Sequence, residues 1–160
     1  MNKKDFLVEI DFAGLSSRIK RLSDTILYST KDFYKAVDTD IEPNWHLVFL
    51  LLNKYSSLTL TKISEHLQLS HPAVVKIVKN MKRSGYVLTE ADNSDSRKQL
   101  VTLSDKALIA LPQLEKYWDA CIKTMKELVE DTPSFLDSLS KIEAKVQQSS
   151  YKERTLKNLK

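Results

Sequence analysis

The sequence predicts a mainly α-helical chain with one small β-hairpin. Three observations carry that prediction. Glycine occurs only twice in 160 residues, at Gly14 and Gly85, where ordinary usage would give about 11. Helix interiors disfavour glycine, whereas tight turns and phosphate loops need it. Apolar residues recur at spacings of three and four along most of the chain, the period of helices with one buried face. The period becomes strand-like on both sides of a turn rich in Asp, Asn and Ser, between Tyr86 and Leu103.

The first helix is expected over residues 12–37, where Phe12, Leu15, Ile19, Leu22, Ile26, Phe33 and Val37 recur at spacings of three, four or seven. That period is about 3.5 residues and suits either a seam between subunits or packing within one subunit. Asp38–Ile41 is a polar break. Pro43 fits the first turn of a second helix, where its missing N–H costs no hydrogen bond. Trp45–Leu52 is apolar almost all round, which places this helix at the buried centre, ending near Tyr55-Ser56-Ser57. Thr59 is the expected N-cap of a short third helix, Leu60–Leu67. After the tight turn Gln68-Leu69, Ser70 caps a fourth helix that carries Pro72 in its first turn and runs to about Ser84. Gly85 supplies its left-handed stop.

Tyr86–Glu90 and Arg97–Leu103 are the expected strands of the hairpin, joined by Ala91–Ser96. Ser104 caps a fifth helix with Leu108, Leu111, Leu114, Trp118, Ile122, Met125 and Val129 at helical spacing, and Pro112 inside it predicts a kink. Thr132-Pro133 opens a last helix whose stripe is Phe135, Leu136, Leu139, Ile142 and Val146. Ser149–Lys160 is basic and weakly patterned and is expected to fray.

Composition excludes several classes. A dinucleotide fingerprint, a P-loop and a nucleophile elbow each need closely spaced glycines. One cysteine, Cys121, and the scattered His46, His66 and His71 give no metal-ligand spacing and no disulfide framework. No cofactor, no metal and no enzymatic activity are expected. The longest apolar run, Leu47–Leu52, is far too short to span a membrane, and no signal-peptide pattern is visible. A lone cysteine makes a reducing cytoplasm the expected compartment. Apolar residues at 42% and charged residues at 29% suit one domain over 1–160. The net charge of +4 suggests a local basic face.

Two short helices joined by a tight turn and followed by a hairpin make a winged helix-turn-helix, whose second helix can enter the DNA major groove. On the helix from Ser70 to Ser84, Val74, Ile77, Val78 and Met81 form an apolar stripe. Pro72, Lys76, Lys79 and Arg83 lie on another side, with Asn80 adjacent. Lys82 adds a fourth cation, and no acid occurs between Ser70 and Gly85. The first turn, Ser70-His71-Pro72-Ala73, offers small or hydrogen-bonding groups at the end that meets bases, and the lysines and arginine suit phosphates. Alone, such a face is more often a solvated one. Its coincidence with the turn, the glycine stop and the hairpin favours nucleic acid.

These residues resemble the multiple-antibiotic-resistance regulator (MarR) family. The resemblance rests on Leu58-Thr59-Leu60-Thr61-Lys62-Ile63-Ser64-Glu65-His66-Leu67, on Ser70-His71-Pro72-Ala73-Val74-Val75 and on Gly85-Tyr86-Val87. It also rests on Asp95-Ser96-Arg97-Lys98 followed by Val101-Thr102-Leu103-Ser104, which matches the family's D-x-R wing pattern. It spans residues 10–148. It implies a cytoplasmic homodimeric transcription regulator with dimerisation helices at about 10–40 and 104–148 and a winged helix-turn-helix at about 42–103. It also implies a recognition helix in the major groove of double-stranded DNA and a wing arginine in the minor groove. Many members are repressors released by a small aromatic ligand or by cysteine oxidation. This chain departs in having Ala107 where the family often has glycine, in lacking glycine at the wing tip, and in placing Cys121 within the fifth helix, so redox sensing is not carried over.

The expected DNA-contacting residues are Ser70, His71, Pro72, Ala73, Lys76, Lys79, Asn80, Arg83, Asp95, Arg97 and Lys98. Asp95 would orient Arg97, or the two would form only a surface ion pair. Tyr28, Trp45, His46, Phe49, Tyr117 and Trp118 are either core side chains or the lining of a pocket for a small aromatic effector. The leading function is a sequence-specific DNA-binding regulator, a ligand-responsive repressor acting on a pseudo-palindromic operator as a homodimer. The alternative is a winged-helix protein–protein interaction module whose basic face binds an acidic partner.

Overall fold

The computed structural model describes residues 5–91 and 99–159. The chain divides into two compact units, Met1–Glu115 and Lys116–Lys160. In the first, α1 (Phe6–Glu9) leads through a 3-10 turn (Asp11–Gly14) into α2 (Leu15–Ala36). There follow α3 (Trp45–Tyr55), β1 (Ser57–Thr59), α4 (Leu60–Leu67), α5 (His71–Arg83), β2 (Val87–Ala91) and β3 (Gln99–Leu103). Helix α6 (Asp105–Leu128) begins in the first unit and ends in the second, which also holds α7 (Phe135–Gln148) and α8 (Tyr151–Asn158). The mainly helical fold with a small antiparallel sheet agrees with the sequence pattern.

The core of the first unit forms where the apolar faces of α3, α4 and α5 meet the sheet. Trp45, Val48, Phe49 and Leu52 are buried from α3, Ile63 from α4, and Val74, Ile77, Val78 and Met81 from α5. The α3 and α5 sets each fall at i, i+3, i+4 and i+7, one helical stripe. Burying each such side chain is worth roughly 1.5–3 kcal/mol. The sheet has the order β1-β3-β2. Both neighbours run antiparallel to β3, with Leu58 opposite Val101 on one side and Thr89 opposite Val101 on the other. Val87 and Val101 point into the core.

Several boundaries differ from expectation. The first helix starts at Leu15 rather than residue 12, because the chain makes a 3-10 turn at Asp11–Gly14 after the added helix α1. Gly14 permits this, since a Cβ there would lie 2.2 Å from the Leu7 carbonyl oxygen. Asp5 caps α1 through the Leu7 amide and takes a two-pronged hydrogen bond from Arg21 of α2, at 3.2 and 2.5 Å. Pro43 lies before α3 rather than in its first turn. It occupies a turn closed by the Trp45 amide on the Glu42 carbonyl, 2.9 Å. Pro133 repeats the device, with the Phe135 amide on the Thr132 carbonyl at 2.9 Å, so α7 starts at Phe135 with Ser134 as its cap position.

Helix α3 is buried on one face only, with Leu47 and Leu50 exposed. Strand β1 was not expected, β2 begins one residue late, and β3 is described from Gln99. Helix α6 runs through Pro112, and Ala107 is wholly buried in its first turn, where the Ser104 hydroxyl caps the Ala107 amide at 3.2 Å. The segment expected to fray contains α8, opened by a capping box in which Ser150 and Glu153 each satisfy the other's backbone N–H. No helix among the described residues is long and apolar enough to cross a membrane.

Candidate nucleic-acid interface

The turn between α4 and α5 is set by its backbone. Thr59 caps α4 through the Lys62 amide, 3.2 Å. Gln68 adopts φ 51°, and the Leu69 amide reaches back to the Ser64 carbonyl at 3.2 Å, a left-handed helix stop made without glycine. The Ser64 hydroxyl donates to the Leu69 carbonyl at 2.6 Å and closes the turn. Ser70 is extended at the N-cap of α5 without a side-chain cap bond, and Pro72 sits in the first turn. At the other end the Gly85 amide bonds the Lys82 carbonyl and the Tyr86 amide the Met81 carbonyl, with Gly85 at φ 78°. This is the glycine-terminated stop expected from the sequence.

With one stripe of α5 in the core, the opposite face is fixed outward. Ser70, His71, Pro72, Lys76, Lys79 and Arg83 are exposed, and Ala73 and Asn80 are half-buried. Among the described residues, no carboxylate lies within 4.0 Å of Lys76, Lys79 or Arg83. These cations are held on one surface with their charge available to an anion. Lys82 differs, because its ammonium donates to the Thr89 hydroxyl of β2. Asp95, Arg97 and Lys98 lie outside the described residues, between β2 and β3.

Sequence reasoning missed a cluster at the exit of α5. Lys106 Nζ donates to Asp40 Oδ2 at 3.0 Å and to the Ser84 carbonyl at 2.9 Å, and lies 4.0 Å from the Tyr86 ring centroid. The Tyr86 hydroxyl donates to Asp40 Oδ1. The Tyr86 ring packs edge-on against Trp45 and Phe49, with centroids at 5.9 and 5.4 Å. Partial burial would raise the Asp40 carboxyl. The hydrogen bonds from Tyr86 and Lys106 and the Lys106 charge outweigh it and hold the group below its usual range. Burial first, then the Asp40 carboxylate, push the Tyr86 phenol well above its usual range. Asp40, Tyr86 and Lys106 lie too far apart in sequence for any local spacing to link them.

The aromatic set divides. Trp45 and Phe49 are core side chains against Tyr86, and Trp118 is buried in the second unit. Tyr28 is exposed on α2, in an open groove lined also by Ser16, Lys20 and Asp24. His46 is half-buried, with Nδ1 2.7 Å from the Pro43 carbonyl. Tyr117 is half-buried in the second unit. In the first unit the structure does not gather Tyr28, Trp45 and Phe49 around one cavity. Cys121 is half-buried, and burial pushes its thiol up. His66 is exposed and stacks on Tyr55 at 4.9 Å. Among the described residues no group of His, Cys, Asp or Glu is arranged to hold a metal ion.

The fold and this outward basic helix define the class of winged helix-turn-helix proteins. Solved structures share the fold. A mutant of MarR from Escherichia coli complexed with operator DNA superposes with a TM-score of 0.67 at 17% identity, covering 89% of this chain and 99% of that one. The MepR–DNA complex of S. aureus gives 0.70 at 17% identity, covering 82% and 97%. The PcaV transcriptional regulator from Streptomyces coelicolor, in complex with its natural ligand, gives 0.67 at 15% identity, covering 90% and 98%. No curated protein matches the chain. Residues 39–98 match the model of the MarR family. That segment, which holds α3, the helix-turn-helix and β2, is similar to the MarR family of DNA-binding transcription regulators.

Proposed function

We propose that the protein is a homodimeric regulator that binds a pseudo-palindromic operator and represses from it. The observation that carries this reading is the α5 surface. Ser70, His71, Pro72, Ala73 and Asn80 would meet base edges, while Lys76, Lys79 and Arg83 would neutralise phosphates. These two roles separate sequence reading from positioning. Arg97 would enter the minor groove beside the major-groove helix, where a planar, permanently charged guanidinium suits a narrow, negative groove. Asp95 would limit its rotamers, and Lys98 would add a phosphate contact. The one-domain plan, with helical arms at about 10–40 and 104–148 serving the dimer, belongs to the same reading. Release by a small aromatic effector is proposed on the family resemblance alone, since Trp45 and Phe49 are core side chains.

The test is selection of bound duplexes followed by titration of the selected and a scrambled duplex at two salt concentrations. An imperfect palindrome, with half-sites about one helical turn apart, is the expected product. Specific binding should exceed scrambled-duplex binding by about a thousandfold or more. No enrichment, together with weak binding that ignores salt, would turn the basic face into a protein-docking surface.

A further inference from the structure

Three consecutive carbonyls follow the end of helix α5, and each is taken by a residue at the entry of α6. Ser84 O accepts from Lys106 Nζ at 2.9 Å, Gly85 O from Ser104 Oγ at 2.6 Å, and Tyr86 O from the Ser104 amide at 3.0 Å. Lys106 also binds Asp40 in the segment between α2 and α3 and covers the Tyr86 ring. All of these residues lie in the first unit. We propose that Lys106 is a positioning residue of the DNA interface: its ammonium, with Ser104, fixes the exit of α5 and thereby the angle at which the helix meets DNA. This inference rests on the DNA-binding reading above.

The physical argument is one of leverage. Carbonyls at a helix end lack intrahelical donors and carry partial negative charge, so a cation there is favourable. The clasp holds the C-terminal end, whereas the base-reading residues Ser70–Ala73 lie at the other. Helix α5 has 13 residues, a length of about 20 Å at the usual rise per residue. A tilt of about 10°, the tolerance of a preorganised site, would then displace the first turn by about 3 Å. That is enough to break base-edge hydrogen bonds. Long lysines reaching for phosphates tolerate such a shift, so loss of the clasp should erode specificity before general affinity.

The experiment compares the full-length parent with Lys106→Met, which keeps the stem over Tyr86 and removes the ammonium. Affinity for the selected operator should fall about tenfold, the scale of one hydrogen bond to a charged group, while scrambled-duplex affinity and the salt slope stay level. Lys106→Arg should restore most of the loss. Amide exchange at Ser84–Val87 should quicken in Lys106→Met and that of Val48–Leu52 should not. Equal losses on both duplexes with a shallower salt slope would make Lys106 a phosphate contact and overturn the proposal. Unchanged operator affinity would overturn it as well. If Lys106→Met does not fold, Asp40→Asn, which loosens Lys106 from its anchor, must show the same operator-specific loss, or the proposal falls. A parent that binds neither duplex at low salt defeats the DNA-binding reading, and the proposal with it. That outcome is distinguished by its appearing before any substitution is made.

Discussion

Asp40 accepts hydrogen bonds from a phenol and an ammonium and holds the segment after α2 against the exit of α5. Its carboxyl is lowered from 3.8 in the folded chain. A depressed folded pKa contributes stability that is present above the unfolded value and is lost as pH falls through the folded one. Asp40→Asn should therefore be less stable than the parent at neutral pH, and the gap should close as pH falls below about 4. Urea unfolding of both proteins across that range is the measurement, and a gap independent of pH would show that Asp40 acts through packing alone. Gln68 gives a second expectation. A non-glycine residue at φ 51° carries a left-handed penalty of about 1 kcal/mol. Gln68→Gly should raise stability by about 0.5–1 kcal/mol, read as a higher melting temperature, and a lower one would mean that the glutamine side chain itself stabilises the turn. Legibility at this scale followed residue type. Gly85 announced its left-handed stop, whereas Asp38, Ser56 and Gln68 do the same without glycine and carry no such signal in the sequence.

Helices α4 and α5 fall within a residue of their sequence-based bounds because caps, apolar stripe and stop all agree there. β1 was not legible, since Ser57-Leu58-Thr59 becomes a strand only through pairing with Leu100–Thr102, far along the chain. The signal for α8 was present in the sequence, because Ser150 and Glu153 have the spacing of a capping box, but its weak apolar pattern hid it. The candidate DNA-facing residues on α5 were readable as one exposed face, whereas the clasp behind them was not, because it joins three distant segments. The α5 surface also yields a sharp expectation. Lys76→Ala or Lys79→Ala should weaken operator and scrambled DNA alike. The slope of log affinity against log salt should drop by about one for each phosphate that is no longer neutralised, hence about two per dimer. Titrations over a range of salt decide it, and an unchanged slope would place these lysines away from DNA.

Each unit, considered by itself, leaves an apolar stripe in water. On α2 and the turn before it, Phe12 is 83% exposed, Ile19 60% and Leu22 57%. On α7, Leu136, Ile142 and Val146 are exposed as well. Such stripes at helical spacing are costly to hydrate and suit a second copy of the chain. Covering them should remove about 2,000 Å² or more of surface, the range of obligate dimers. Sedimentation at micromolar concentration should therefore return twice the mass of the chain, and a monomer would defeat the dimeric reading. The sequence offered this stripe without deciding between a subunit seam and internal packing. The exposure along α2 favours the seam, except toward its C-terminal end, where Tyr34 is buried.

The central place of β3 has a consequence for how the gene can vary. Because β3 is paired on both sides, deleting one of its residues would shift two ladders at once and turn Val101 from the core to the solvent. Codons inserted between Ala91 and Gln99 leave every pairing among the described residues of the sheet in register. Length variation among descendants of this sequence should accordingly concentrate between β2 and β3, letting the reach of the hairpin change while the helix-turn-helix beneath it keeps its frame.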